Sequence, residues 1–92
     1  MALLDDAEIE SRLEGSAWTR AGNEIVRDYK FDDFAGAMAF VNRVAEAAEE
    51  ANHHPDILVH GWNKVRLSLT NHSAGGLTPV DFDMATRFDA LA

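Results

Sequence analysis

The sequence predicts an α+β fold of order α-β-β-α-β-β-α. Two hairpins build a four-stranded antiparallel sheet, with the helices packed on one face. Three observations predict it. From Lys64 to Thr70 polar and apolar residues alternate strictly, the signature of a half-buried strand. From Phe34 to Ala48 apolar residues recur at three- and four-residue steps, the signature of an amphipathic helix. Two capping boxes, Asp5 with Glu8 and Thr78 with Asp81, mark helix starts near either end of the chain. Ninety-two residues leave room for one core, so residues 1–92 are expected to form a single domain.

The first helix begins at Asp5, with Leu4 and Ile9 at the flanking staple positions. Leu13 continues its apolar stripe and Gly15 ends it. Ala21-Gly22-Asn23 is a turn between a short strand near 17–20 and a longer one near 24–31. In the longer strand Ile25, Tyr29 and Phe31 share one parity and Glu24, Asp28 and Lys30 the other, while Val26 and Arg27 blur the pattern. The longest helix follows Asp32-Asp33 and runs to about Ala51. Its stripe is Phe34, Ala37, Met38, Val41, Val44, Ala45 and Ala48, and its many alanines favour helix intrinsically. Glu49 and Glu50 near its C-terminal end oppose the helix dipole, a local misfit of the kind found at functional positions.

Pro55 stops this helix and steers His54 toward extended geometry. Ile57-Leu58-Val59 reads as a short strand, broken by Gly61. In the next strand Val65, Leu67 and Leu69 face inward and Lys64, Arg66, Ser68 and Thr70 outward. His72 takes the outward parity if the strand runs that far, which would aim it at the loop bearing His53 and His54. After the loop Ser73-Ala74-Gly75-Gly76, Thr78 suits the N-cap and Pro79 the first turn of a last helix. Val80, Met84, Phe88 and Leu91 form its buried stripe. Trp18, Phe31, Phe34 and Phe40 read as core residues.

Composition removes several functions. The chain is 47% hydrophobic and 26% charged, which is globular. It has no cysteine, so disulfides, thiolate zinc sites, iron–sulfur clusters and cysteine nucleophiles are excluded. A net charge of −8 repels a phosphate polymer, so no direct nucleic-acid partner is expected. No apolar run approaches the roughly 18–20 residues needed to cross a bilayer. The N-terminal stretch is too short and too acidic for a signal peptide. The expectation is a cytoplasmic protein with no membrane partner.

All four histidines, His53, His54, His60 and His72, fall within 20 residues. Imidazole both gives and takes protons near neutral pH. One reading is a solvated polar loop. Another is a metal site in which Glu49 or Asp81 adds an oxygen to His53, His54 and His72. Against it, adjacent side chains diverge, and a catalytic zinc helix carries two histidines four apart. No metal is therefore expected. No Gly-x-Ser-x-Gly elbow is present, and Gly75-Gly76 reads as a turn before a helix. Asp81 reads on its own as a capping residue, and Trp62 as a filler of the sheet face.

The spacing of these residues resembles a known signature. Glu49-x3-His53-His54-Pro55, six residues to Trp62, nine to His72 and eight to Asp81 is similar to the pattern of the pterin-4a-carbinolamine dehydratases. Tyr29-Lys30-Phe31-Asp32-Asp33-Phe34 resembles the family's Phe-x-Phe-x-x-Phe entry into its long helix. Leu13 and Trp18 resemble its Leu-x4-Trp. Asn63-Lys64-Val65 and Thr70-x-His72-x2-Gly75-Gly76-Leu77-Thr78 resemble its strand and loop. The resemblance covers residues 13–88. One departure is Ile57-Leu58, where some relatives carry an aromatic residue.

The resemblance implies the same α-β-β-α-β-β-α fold and a substrate, a 4a-hydroxytetrahydropterin, that loses water to give a quinonoid dihydropterin. It implies no metal and no cofactor. By resemblance, His53 and His72 transfer protons at the hydroxyl, and His54 binds the substrate and shuttles protons. Glu49 supports a histidine, Asp81 supports the loop of His72, and Pro55 and Trp62 shape the pocket. The family also implies a homodimer or homotetramer. Two alternatives share the fold: a non-catalytic dimerisation module, and a dehydratase for another pterin, as in molybdopterin metabolism.

Overall fold

The alternation read in the sequence becomes a two-faced sheet in the computed structural model, which describes residues 2–92. The elements are α1 (Asp6–Leu13), β1 (Thr19–Ala21), β2 (Glu24–Lys30), α2 (Phe34–Ala51), β3 (Asp56–His60), β4 (Lys64–Leu69) and α3 (Pro79–Asp89). The expected order holds, with strand ends shifted by one or two residues. Every pairing is antiparallel and the strand order is β1-β2-β4-β3. The β2–β4 ladder joins the two hairpins and leaves β1 and β3 at the edges.

Register decides which side chains meet. Ile25 lies opposite Leu69, Tyr29 opposite Val65, and Leu67 opposite Ile57. Ile25, Tyr29, Val65, Leu67 and Leu69 are buried against the helices. The other parity is more polar: Arg66 binds Asp28 at 2.9 Å across β2 and β4, and His60 Nε2, 3.8 Å from the same carboxylate, is shielded from solvent without a hydrogen-bond partner among the described residues. The Arg66 hydrogen bond holds Asp28 below the ordinary carboxylate range. No described helix is long and apolar enough to cross a membrane.

In α2 the buried face is Ala37, Phe40, Val44, Ala47 and Ala48. This corrects the expected stripe at two positions. Phe34, in the first turn, is 54% exposed, and Ala45 also faces out. Phe40 takes the central place, with its ring centroid 4.7 Å from Tyr29 and 5.1 Å from Phe31. A three-four spacing fits more than one rotation of an alanine-rich helix. The bulkiest side chain that reaches the sheet decides among them.

The sheet is tied to α3 by a carboxylate that the sequence reading did not single out. Asp89 accepts from Trp18 Nε1 at 3.0 Å and from the Tyr29 hydroxyl, and lies 2.7 Å from Arg27 Nη1. Arg27 stacks on the Tyr29 ring, 4.4 Å from its centroid. Burial, and then the hydrogen bond to Asp89 and the charge of its carboxylate, push the Tyr29 phenol far above its ordinary range. The neutral phenol is thus favoured in the folded state. Its contribution is complete below about pH 10, where the unfolded chain also keeps the proton, and is lost as pH rises beyond that. We expect unfolding free energy to fall above about pH 10 by at most ~1.4 kcal/mol per pH unit on this account. Tyr29→Phe should flatten that slope in urea titrations run at several alkaline pH values.

Candidate active site

The site is built where α2 ends and α3 begins. A helix end leaves carbonyls without partners, and a left-handed residue commonly closes it. Asn52 does so here, with φ 50° and ψ 42°. The next amide, His53 N, then reaches back to Ala48 O at 3.1 Å. This turn directs the His53 ring at the first turn of α3.

There the ring meets Asp81. Asp81 and Thr78 are both fully buried. Asp81 Oδ2 accepts from Thr78 N at 2.9 Å and from Thr78 Oγ1 at 3.3 Å. Asp81 Oδ1 lies 2.6 Å from His53 Nε2. A buried carboxylate is costly unless hydrogen-bonded, and donors from α3's own cap and from the α2 exit meet that need. Asp81 is therefore a capping residue, as its position predicts, and also the partner of His53. The resemblance assigned it to the loop of His72, and no hydrogen bond or ion pair joins it to that loop among the described residues.

His54 points elsewhere and is exposed. Its Nε2 lies 3.1 Å from Glu49 Oε2, one turn back on α2. Glu50 binds Arg87 of α3 at 3.0 Å. Both carboxylates that oppose the α2 dipole thus have a partner.

His72 does not continue the outward face of β4, because the strand ends at Leu69. Asn71 O accepts from Gly75 N and Gly76 N, and Asn71 Oδ1 from Ala74 N, which closes a tight turn with His72 exposed on it. A parity argument fails once the strand stops. His72 lines a cavity of about 290 Å³ with Asn23, Glu24, Thr70, Gly75 and others. No hydrogen bond links it to His53 or His54. The ladder still sets all three at one end of the sheet. Asp56 pairs with Ser68, so the chain entering β3 lies beside the chain leaving β4.

Pro55 is part of that entering segment. Trp62 is at the other end of β3, about 17 Å away by strand rise, 63% exposed and with φ 57°. Within one chain it neither fills the sheet face nor walls a pocket around His53. Among the described residues no group of three His, Cys, Asp or Glu is placed to hold a metal ion. The arrangement is suited to proton transfer: one imidazole fixed by a buried carboxylate, a second on an exposed carboxylate, a third free. Sequence reasoning paired Thr78 with Asp81 as a capping box without showing that both are buried, and it missed Asn52 as the left-handed residue. An asparagine just past a long helix was the available signal for the latter.

Fold and site together define a small α+β protein with three of its four histidines gathered at one end of its sheet. A sequence profile described as "Pterin 4 alpha carbinolamine dehydratase" matches residues 2–91. Provisionally assigned pterin-4-alpha-carbinolamine dehydratases from Roseiflexus sp. (strain RS-1) and Thermomicrobium roseum are each 55% identical. The first match covers 96% of this chain and 95% of that protein, and the second 100% and 99%. The crystal structure of a transcriptional coactivator/pterin dehydratase from Brucella melitensis superposes with a TM-score of 0.91 at 32% identity, covering 98% of each chain. A pterin dehydratase-like protein that is a RuBisCO assembly factor in the alpha-carboxysome gives 0.70 at 28% identity, covering 83% of this chain and 89% of that one. The chain belongs to the pterin-4-alpha-carbinolamine dehydratase family.

The left-handed turn at Asn52 carries a prediction. Asn52→Gly should leave stability within about 1 kcal/mol, since glycine adopts this conformation freely. Asn52→Val should destabilise by roughly 1–2 kcal/mol, because a side chain with a branched Cβ resists positive φ. Urea denaturation of the two variants against wild type measures both. Equal stabilities would show that the turn is not strained by a bulky side chain.

Proposed function

We propose that this chain is a hydro-lyase that dehydrates a 4a-hydroxytetrahydropterin to the quinonoid dihydropterin, in tetrahydropterin recycling. The observation that carries this is the contact of His53 with the fully buried Asp81, at the sheet end that also bears His54 and His72. Family membership supplies the substrate class.

The chemistry needs one proton delivered and one removed. The N5 lone pair forms the N5=C4a bond as the C4a–O bond breaks. A general acid protonates the departing hydroxyl so that it leaves as water, and a base takes the N5 proton. Imidazoles, with ordinary pKa near about 6.5, do both at neutral pH. His53 and His72 are the proposed proton-transfer groups. His54, with its ring on Glu49, binds and orients the substrate. Asp81 holds His53, and Pro55 keeps the entering segment extended. The reaction draws on no redox cofactor or metal. In this reading the protein acts in the cytoplasm.

A second reading rests on a different observation. The edge strand β3 and the turn after it expose Leu58 by 50% and Trp62 by 63%. Exposed apolar side chains on an unpaired edge suit protein contact, including a second copy of this chain in a homodimer or homotetramer. The same fold serves as an assembly factor in one structural neighbour. Trp62 would then belong to an interface rather than to a pocket. Turnover of a 4a-hydroxytetrahydropterin by the purified chain supports the enzyme, and a folded chain without turnover supports the interaction module.

Two outcomes follow from the acid–base reading. His72→Ala should keep the fold and lose at least about tenfold in dehydration rate, since proton-transfer groups are typically worth 10²–10⁴-fold. Combining it with His53→Ala should cost little more than the worse single change if the two act as one unit. An unchanged rate in folded His72→Ala would return His72 to a solvated turn residue. Separately, turnover should survive prolonged treatment with a chelator. Loss on chelation, restored by added zinc, would overturn the acid–base mechanism.

A further inference from the structure

His53 meets Asp81 through one ring nitrogen, and that decides which nitrogen is left for chemistry. An ionised carboxylate only accepts hydrogen bonds. Asp81 Oδ2 is occupied by the amide and hydroxyl of Thr78, which leaves Oδ1 for His53. At 2.6 Å from Oδ1, Nε2 of a neutral His53 ring carries the hydrogen. Nδ1 then keeps its lone pair. It has no hydrogen-bond partner among the described residues, and it is not a buried unpaired atom, so it reaches solvent.

We propose that Nδ1 is the atom through which His53 exchanges its proton, and that Thr78, acting through Asp81, is a positioning residue that holds the ring in the Nε2–H form. This rests on the dehydratase reading of the site. Thr78 is placed for the task. It is fully buried, and its two donors share one carboxylate oxygen and so fix the plane in which the other presents itself. In the cycle Nδ1 takes the N5 proton as the N5=C4a bond forms. The departing oxygen gains its proton from His72, the other proposed proton-transfer group, as the C4a–O bond breaks and water leaves. Asp81 keeps its hydrogen bond from Nε2 throughout and so steadies the ring when Nδ1 gains its proton. The nearest ionisable neighbour of the ring in the structure is Asp81 itself, while Glu49 is engaged by His54.

The test starts with the wild-type chain, labelled with ¹⁵N-histidine and read by long-range ¹H–¹⁵N correlation near pH 8, where free imidazole is neutral. The expected pattern for His53 is a protonated Nε2 and an unprotonated Nδ1. The opposite tautomer, or an equal mixture, overturns the proposal without any variant having to fold. Thr78→Val removes the hydroxyl at nearly constant shape. It should weaken the single-tautomer signature and lower kcat by about 10–100-fold, the range typical of partners that orient a reactive histidine. KM should change by less than about twofold, because Thr78 touches no substrate. Thr78→Ser should restore both readouts. A Thr78→Val protein with the wild-type tautomer and wild-type kcat overturns the role of Thr78. Wild-type protein with the Nε2–H ring but no dehydration overturns the functional reading and, with it, the proton-exchange half of the proposal, while the tautomer is upheld on its own measurement.

Discussion

The buried carboxylate of Asp81 is the constraint on which the arrangement of the site depends. A carboxylate without exposed surface must be met by donors or be neutralised. Asp81 sits at the third position of α3, where it accepts from the Thr78 amide and so completes a helix start. That alone would be ordinary capping. The same group also takes His53, 28 residues away in sequence, and so ties the exit of α2 to the entrance of α3. One side chain thereby fixes a helix terminus, an interhelical contact and the orientation of an imidazole. The left-handed turn at Asn52 is what lets His53 reach it.

The other end of α3 repeats the device. Asp89 gathers Trp18, Tyr29 and Arg27, from β2 and from the chain just before β1. The two carboxylates lie about 12 Å apart along α3, by helix rise. One anchors the helix to the sheet and the other to the histidine segment. Between them Met84, Ala85 and Phe88 supply the apolar contact. Apolar burial gives most of the adhesion and little direction. The two polar clusters supply direction, because each is satisfied in only one placement of the helix.

Much of this was legible in the sequence. The alternation of Val65, Leu67 and Leu69 gave β4 and its buried face, and both capping boxes gave helix starts within a residue. The spacing of Glu49, His53, His54 and Asp81 pointed to the family. What failed did so for physical reasons. The parity that aimed His72 at the other histidines assumed a strand that stops at Leu69, because Asn71 gathers the amides of the following turn. The rotation of α2 was ambiguous, because alanine marks neither face, and only packing against Tyr29 selected Phe40 over Phe34. Which carboxylate pairs with which histidine was also out of reach, since that follows from interhelical geometry rather than from spacing. Trp62 shows the limit most plainly: a position within the signature lies at the opposite end of β3 from the rest.

Glu49 and Glu50 show how such a site is tolerated. Negative charge in the last turn of a helix is unfavourable by about 0.3–1 kcal/mol in exposed positions. A helix optimised for its own stability would carry Lys or Arg there, and the last turn of α2 has neither. Each glutamate instead has a neighbour that offsets the misfit. Glu50 reaches Arg87 on α3, which adds a second, exposed link between the helices beside the buried one at Asp81. Glu49 reaches the His54 ring just past the helix end, at 3.1 Å. That contact ties the end of the helix to one of the three proposed site histidines, as Glu50 ties it to α3.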